Sequence, residues 1–207
     1  MPVAKPYHHG ALREGALAEG LKLLAETGVT KFSLREVARR LGVTATALYH
    51  HFPDKEDLLA ALAYHGLEQF EETIVRAAAS EGDVLSAMGA AYIRFFLEHP
   101  YYMDLLFRPA TKSDERVRSI WGSTFHRIEL TLQERGVDVS EAPYYGVWLW
   151  SGVHGLAGML RDRILGNPEA CGPDAPGVFL LYPDQLLQKV IPLVGRVIGR
   201  EQNSPRN

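Results

Sequence analysis

Residues 33–59, SLREVARRLGVTATALYHHFPDKEDLL, decide the fold of this 207-residue chain. Ser33 stands where a hydroxyl caps a helix, and Glu36 is placed to reach back to the Ser33 amide, the reciprocal arrangement of a capping box. Leu34, Val37, Ala38 and Leu41 recur at helical spacing and form one apolar stripe, while Arg35, Glu36, Arg39 and Arg40 fall on the other side. Gly42 can adopt the left-handed conformation that ends a helix, and Thr44 offers the next N-cap. A second helix therefore starts within about three residues of the first, which is the connection of a helix-turn-helix.

In the second helix Val43, Ala47, Leu48 and Phe52 share an inward face and leave Thr44, Ala45, Thr46, Tyr49 and His50 outward. A recognition helix enters the major groove with its N-terminal residues, where threonine hydroxyls and methyls meet base edges and small side chains permit close approach. Tyr49 and His50 carry hydrogen-bonding tips at the reach of the sugar-phosphate backbone, and Lys55 follows the cap Asp54 in the next helix. Taken singly, Tyr49 and Phe52 suit a core and Lys55 a solvated surface. Taken with the capping box, the glycine turn and the preceding helix, they suit a DNA reader. The candidate DNA-facing set is Lys5, Ser33, Arg35, Thr44, Ala45, Thr46, Tyr49, His50 and Lys55.

The segments GALAEGLKLLAETGVTKFSLREVARRLGV and ALYHHFPDKEDLL carry a likeness to a known family. Residues from His9 to Leu62 closely resemble the DNA-binding region of the TetR (tetracycline-repressor-like) family of bacterial transcription regulators. Two departures stand out. Many members have glycine or proline within the segment that reads TATA here, Thr44 to Ala47, and the pair His50–His51 varies a pattern with one histidine. Both limit any inference about the operator sequence. The resemblance implies a homodimer, a palindromic double-stranded DNA operator, and repression released by a small apolar or aromatic effector; a transcriptional activator or an architectural DNA-binding factor without an inducer is the alternative.

The net charge of −3 sits poorly with a polyanionic partner until it is divided along the chain. Residues 1–56 hold eight Lys or Arg against six Asp or Glu, with four histidines; the remainder holds 14 against 19. The small basic excess is on the side of the reader. Lys5, with Tyr7 and His8, suits either a flexible arm near phosphates or the minor groove, or a solvated terminus. The single Cys171 excludes an intramolecular disulfide framework. No signal-peptide pattern and no membrane-length apolar run is present, so the expected compartment is the cytoplasm.

The remaining pattern is helical throughout, which makes the expected class all-α: an N-terminal three-helix helix-turn-helix DNA-binding domain, residues 1–56, and a helical ligand-binding and dimerisation domain, residues 57–207. A first helix runs from His9 to Thr27 and closes at Gly28. A longer one from Lys55 to about Ser80 outlasts the DNA module, with Leu58, Leu59, Leu62, Leu67, Phe70 and Ile74 as its apolar face. Further helices are expected over Asp83–Glu98, Tyr101–Phe107, from Ser113 or Asp114 to before Gly136, and over Glu141–Leu165 with Ser140 as cap and Pro143 in the first turn. GNPEACGPDAPG, residues 166–177, is a loop by composition. A last helix from Asp184 to Gly199 contains Pro192, where a kink is expected.

Aromatic residues concentrate in the middle helices: Tyr92, Phe95, Phe96, Tyr101, Tyr102, Phe107, Trp121, Phe125, Trp148 and Trp150. A bundle with that aromatic volume either encloses an apolar pocket or fills its own core, and each ring taken singly suits the core better. The segment WLWSGVHGLAGM, residues 148–159, places Trp150 and His154 on one helical face. With Gly155 it resembles the Trp-His-Gly signature of one class of TetR-type C-terminal domain. His154 has three readings: a buried, hydrogen-bonded histidine, a polar group of the pocket, or a metal or catalytic residue. The candidate ligand set is Phe96, Tyr102, Phe107, Trp121, Phe125, Trp150 and His154. The resemblance places this helix and the last one at the dimer interface, with Gly152, Gly155, Leu187, Val190, Ile191 and Val194 as candidates; sealing of the chain's own core is the alternative. No zinc-binding, nucleophile-elbow or phosphate-loop pattern suggests an enzyme, and the sequence suggests no cofactor or metal.

Overall fold

Every regular element among the described residues of the computed structural model, 9–108, 111, 114–165 and 189, is a helix. In chain order these are α1 (His9–Lys31), α2 (Leu34–Leu41), α3 (Ala45–Tyr49), α4 (Lys55–Ala78), α5 (Val84–Glu98), α6 (Tyr101–Leu106), α7 (Glu115–Glu134) and α8 (Ala142–Arg161). The all-α expectation therefore holds. Lys5, Leu187, Val190, Ile191 and Val194, the loop with Cys171 and the last helix with Pro192 lie outside the described residues.

The helix ends depart from the sequence reading in three places. α1 does not stop at Gly28: that residue takes φ 69° and ψ 171°, a break that glycine alone tolerates readily, and helical turns resume to Lys31. The capping box at α2 does not form. Ser33 has the extended backbone of an N-cap, but its hydroxyl makes no cap bond, and Glu36 turns instead to Arg39 and Arg40. Two guanidinium groups are stronger partners for a carboxylate than one backbone amide. At α8 the cap position is Glu141 rather than Ser140, whose amide bonds the Asp138 carboxylate at 2.8 Å, and the helix ends at Arg161.

The chain forms two compact units. The first comprises the described residues up to Leu67 together with Tyr101–Arg118, so α6 joins the helix-turn-helix module and the unit is larger than the motif itself. Leu24, Leu48, Leu58 and Leu62 are completely buried in it. Tyr102 is also completely buried, its ring lying where a Cβ on Gly66 of α4 would stand. That glycine is there for close approach, not for a turn. An Arg108–Glu56 ion pair at 2.7 Å ties the end of this segment to the start of α4.

The second unit comprises Glu68–Pro100 and the residues from Ser119 onward. Phe70 is the hub of its core, with ring centroids of Tyr92, Phe95, Phe96 and Trp121 at 5.3–5.9 Å. Edge-on and tilted contacts of this kind suit the quadrupole of aromatic rings. A second cluster gathers Leu85, Leu132, Val137, Ala142 and Leu149 where α5, α7 and α8 meet.

Gly66→Ala tests the interlock in the first unit. The added methyl overlaps the Tyr102 ring, so we expect a loss of about 1–3 kcal/mol in urea denaturation, the usual cost of overpacking. Tyr102→Leu in the Gly66→Ala background is expected to recover part of it. Equal stability of Gly66→Ala and the unmodified protein would disprove the interlock.

Candidate nucleic-acid interface and apolar cavity

The corner between α2 and α3 is built from backbone bonds. Gly42 adopts φ 68° and ψ 26°, and the Val43 amide donates to the Ala38 carbonyl at 3.0 Å, the six-to-one bond of a Schellman cap. Two residues after Gly42 the Thr44 hydroxyl accepts from the Ala47 amide at 3.2 Å and opens α3. Leu48 and Phe52 are buried and anchor α3 to the core. Thr44, Thr46, Tyr49 and His50 are exposed and Ala45 partly so. The outward face of α3 is thus the one expected from sequence. Arg35 is exposed as well, whereas Ser33 is half-buried at the start of α2.

Much of the positive charge near this corner is already neutralised. Arg40 bonds Glu26 at 2.6 and 3.0 Å, Glu36 at 3.1 Å and Glu19 at 3.4 Å, so one guanidinium on α2 grips two carboxylates of α1. Arg39 makes a two-pronged contact with Glu36 at 2.7 and 2.8 Å. The hydrogen bonds from Arg39 and then Arg40 pull the Glu36 carboxyl down to about 2. Lys55 donates to the carbonyls of Val29 at 3.1 Å and Thr30 at 3.4 Å. A cation at the C-terminal end of a helix is well placed, and an ammonium has three N–H donors. Lys55 therefore fastens α4 to the end of α1 and retains one donor for another partner. Asp54 caps α4 by accepting from the Asp57 amide at 2.9 Å.

The second unit holds an apolar cavity of about 50 Å³, several times the ~10–15 Å³ that one water needs. Three of the expected ligand residues, Trp121, Phe125 and Trp150, line it. Phe96 is completely buried behind Tyr92, with ring centroids 4.7 Å apart, and does not line it. Tyr102 and Phe107 belong to the first unit and do not line it either. His154 is set back from the wall. Its Nδ1 lies 2.7 Å from the Tyr92 hydroxyl, and its ring stacks on Trp150 with centroids 5.2 Å apart. Burial, and to a lesser degree the charge of Arg161, lowers the His154 pKa and so favours the neutral ring. The sequence reading omitted from the ligand set the cavity residues Phe70, Tyr92 and Thr124. Tyr92 had a visible signal, an aromatic in the middle of an apolar helix; Thr124 had none.

Among the described residues, nothing covers one face of α8. Gly152 and Gly155 are exposed, and nothing lies within 4 Å of where a Cβ would stand on either. Val147 and Trp148 beside them are also exposed. Among the described residues no group of three or more His, Cys, Asp or Glu could hold a metal ion, and no helix is long and apolar enough to cross a membrane.

Comparison with known proteins gives matches at both ends of the chain. A family model described as bacterial regulatory proteins, tetR family, matches residues 16–62, and one described as tetracyclin repressor-like, C-terminal domain, matches residues 85–172. The HTH-type transcriptional regulator AcrR of Shigella flexneri is 30% identical over 118 residues, 56% of this chain. The match spans only about half of that relative, 49% of its length. Among solved structures, a protein of unknown function from Rhodococcus sp. RHA1 superposes with a TM-score of 0.75 at 24% identity, covering 93% of this chain and 98% of that one. BioQ with its double-stranded DNA operator gives a TM-score of 0.61 at 19% identity, covering 91% and 98%. At these identities the structural likeness is one of fold.

The Arg40 network carries a pH signature. Glu36 has a folded-state pKa of about 2 against an ordinary value of 4.5, so it contributes stability that is fully present above about pH 4.5 and is lost as pH falls towards 2. Glu26, lowered by its bond to Arg40, adds a loss of the same sign. Replacing Arg40 by Gln is expected to flatten the stability profile over that window and to lower stability at neutral pH. Urea denaturation at a series of pH values checks this, and an unchanged slope for Arg40→Gln would refute it.

Proposed function

The chain belongs to the TetR family of bacterial regulatory proteins, and from that premise we propose that it is a cytoplasmic repressor that binds a palindromic operator as a homodimer and is released by a small apolar or aromatic effector. The observation that carries the reading is the exposed face of α3, where Thr44 and Thr46 stand at the helix start and Tyr49 and His50 at its end. The threonines read base edges in the major groove. Tyr49, His50 and the remaining Lys55 donor, with Arg35, Ser33 and Lys5 around them, hold phosphates and set the register.

One five-residue helix contacts only a few base pairs, and the small basic excess of residues 1–56 gives it little non-specific affinity. Two copies at fixed spacing read a palindrome and multiply that affinity. The open glycine face of α8 supports pairing there, since small residues let two helices approach closely. Release follows from linkage: a molecule that fits the cavity better when the two readers are wrongly spaced weakens DNA binding by the same coupling free energy. The cavity favours this scheme over an architectural factor with no inducer.

Two measurements test the scheme. In binding assays on an operator selected from random duplexes, Tyr49→Ala is expected to weaken all sequences alike and to leave the salt slope unchanged, because a neutral phenol releases no counterion. Thr46→Ala is expected instead to erode discrimination against mismatched sites by about 1–3 kcal/mol. If both variants keep full affinity and full discrimination, the α3 face is not the reader. For the dimer, Gly155→Glu adds a side chain that the protomer accommodates in open space. We expect it to fold, to sediment as a monomer and to lose operator binding; a stable dimer of Gly155→Glu would move the interface elsewhere.

A further inference from the structure

We infer that the cavity selects an uncharged single-ring aromatic molecule bearing one hydrogen-bonding group, and that Thr124 is the residue that reads that group; the inference rests on the cavity being the effector site. Its walls include the rings of Phe70, Trp121, Phe125 and Trp150, which suit a flat apolar partner in edge-on or offset contact. Among the described residues, no ionisable carboxylate, ammonium or guanidinium lines it. A charged ligand would lose its hydration with no counter-ion in return, which is the costliest form of burial. At about 50 Å³ the cavity is well below the ~150 Å³ that takes up benzene in an engineered core, so a single ring enters only as the surrounding side chains yield, and a fused polycycle is excluded.

The polar groups at the wall narrow the class further. Ser86 donates its hydroxyl to Asp83, which is itself paired with Arg135. Tyr92 is bound to His154 at 2.7 Å. Among the hydroxyls at the wall, that leaves Thr124. It is only 7% exposed, and its Oγ1 is buried with no hydrogen-bond partner. Leaving a buried hydroxyl unpaired is unfavourable, and threonine in a helix has two accessible χ1 wells. Rotation about χ1 exchanges methyl for hydroxyl, so a ligand with one donor or acceptor can satisfy the group that the protein's own side chains leave unsatisfied.

Three probes of one shape separate these properties: p-xylene, p-cresol and p-toluate, titrated calorimetrically into the full chain, with tryptophan emission as a second readout. We expect p-cresol and p-xylene to bind and p-toluate not to. In Thr124→Val the ratio of p-cresol to p-xylene affinity is expected to fall about threefold to tenfold, the weight of one net hydrogen bond, and Thr124→Ser should restore it. Valine is close in shape and removes an unpaired group, so Thr124→Val should melt no lower than the unmodified protein. Binding of p-toluate as tight as that of p-cresol, an unchanged ratio in Thr124→Val, or no binding of any probe to the folded protein would overturn the inference. Addition of p-cresol to the operator complex keeps the two readings apart: selective binding without any change in DNA affinity would refute the effector role and leave the ligand selectivity standing.

Discussion

A five-residue helix has no stability of its own, and α3 exists only because its ends and its inner face are held. The positive φ of Gly42 turns the chain, Thr44 caps the new helix, and Leu48 and Phe52 bury its inner side. The α3 groups proposed to touch DNA, Thr44, Thr46, Tyr49 and His50, hang from that corner. The corner in turn is fixed to α1 by Arg40, whose three carboxylate partners come from two helices. Exposed ion pairs are individually weak, so the role of this network is orientation, with burial of the leucine core supplying most of the stability. The same pairing explains why the reader is less basic than its sequence: an arginine that clamps α2 to α1 is not available to phosphate.

The second unit solves a different problem, that of keeping polar atoms satisfied around an apolar space. Phe70 organises the rings, and the tilted packing around it leaves a gap. Tyr92 and His154 close one side with a hydrogen bond between the hydroxyl and Nδ1, and burial favours the neutral ring. The residue that looked most chemical in the sequence is therefore the hydrogen-bond partner of Tyr92 behind the wall.

Periodicity and caps made the helices legible. The stripes of α2 and α4, the glycine turn and the Thr44 cap are local, and local patterns survive folding. What failed to show was the choice among partners. Glu36 was positioned for the Ser33 amide by spacing, yet Arg39 and Arg40 compete for it more strongly. Lys55 read as a free cation because the carbonyls it binds, those of Val29 and Thr30, lie some 25 residues earlier in the chain. Tyr102 counted as a pocket aromatic by composition, and only the notch at Gly66 assigns it to the first unit. The glycine in the apolar run of α4 was the available signal for that contact. Thr124 shows the limit: nothing in its neighbourhood distinguishes a threonine with a bonded hydroxyl from one without.

α4 is the element on which control must act under the proposed function. Its first half supplies Leu58, Leu59 and Leu62 to the core that seats α3, and its second half supplies Phe70 and Ile74 to the cavity. Under that proposal, a ligand that displaces Phe70 acts on the same helix that carries Leu58, Leu59 and Leu62. Close packing turns small displacements into a choice between discrete arrangements, because cores do not deform continuously. The Gly66–Tyr102 interlock lies between these two halves, at the point where α4 has no side chain to yield. A weakly basic reader amplifies the result. When affinity depends on two copies engaging together, a change in their spacing needs to cost only a small part of the total to release both.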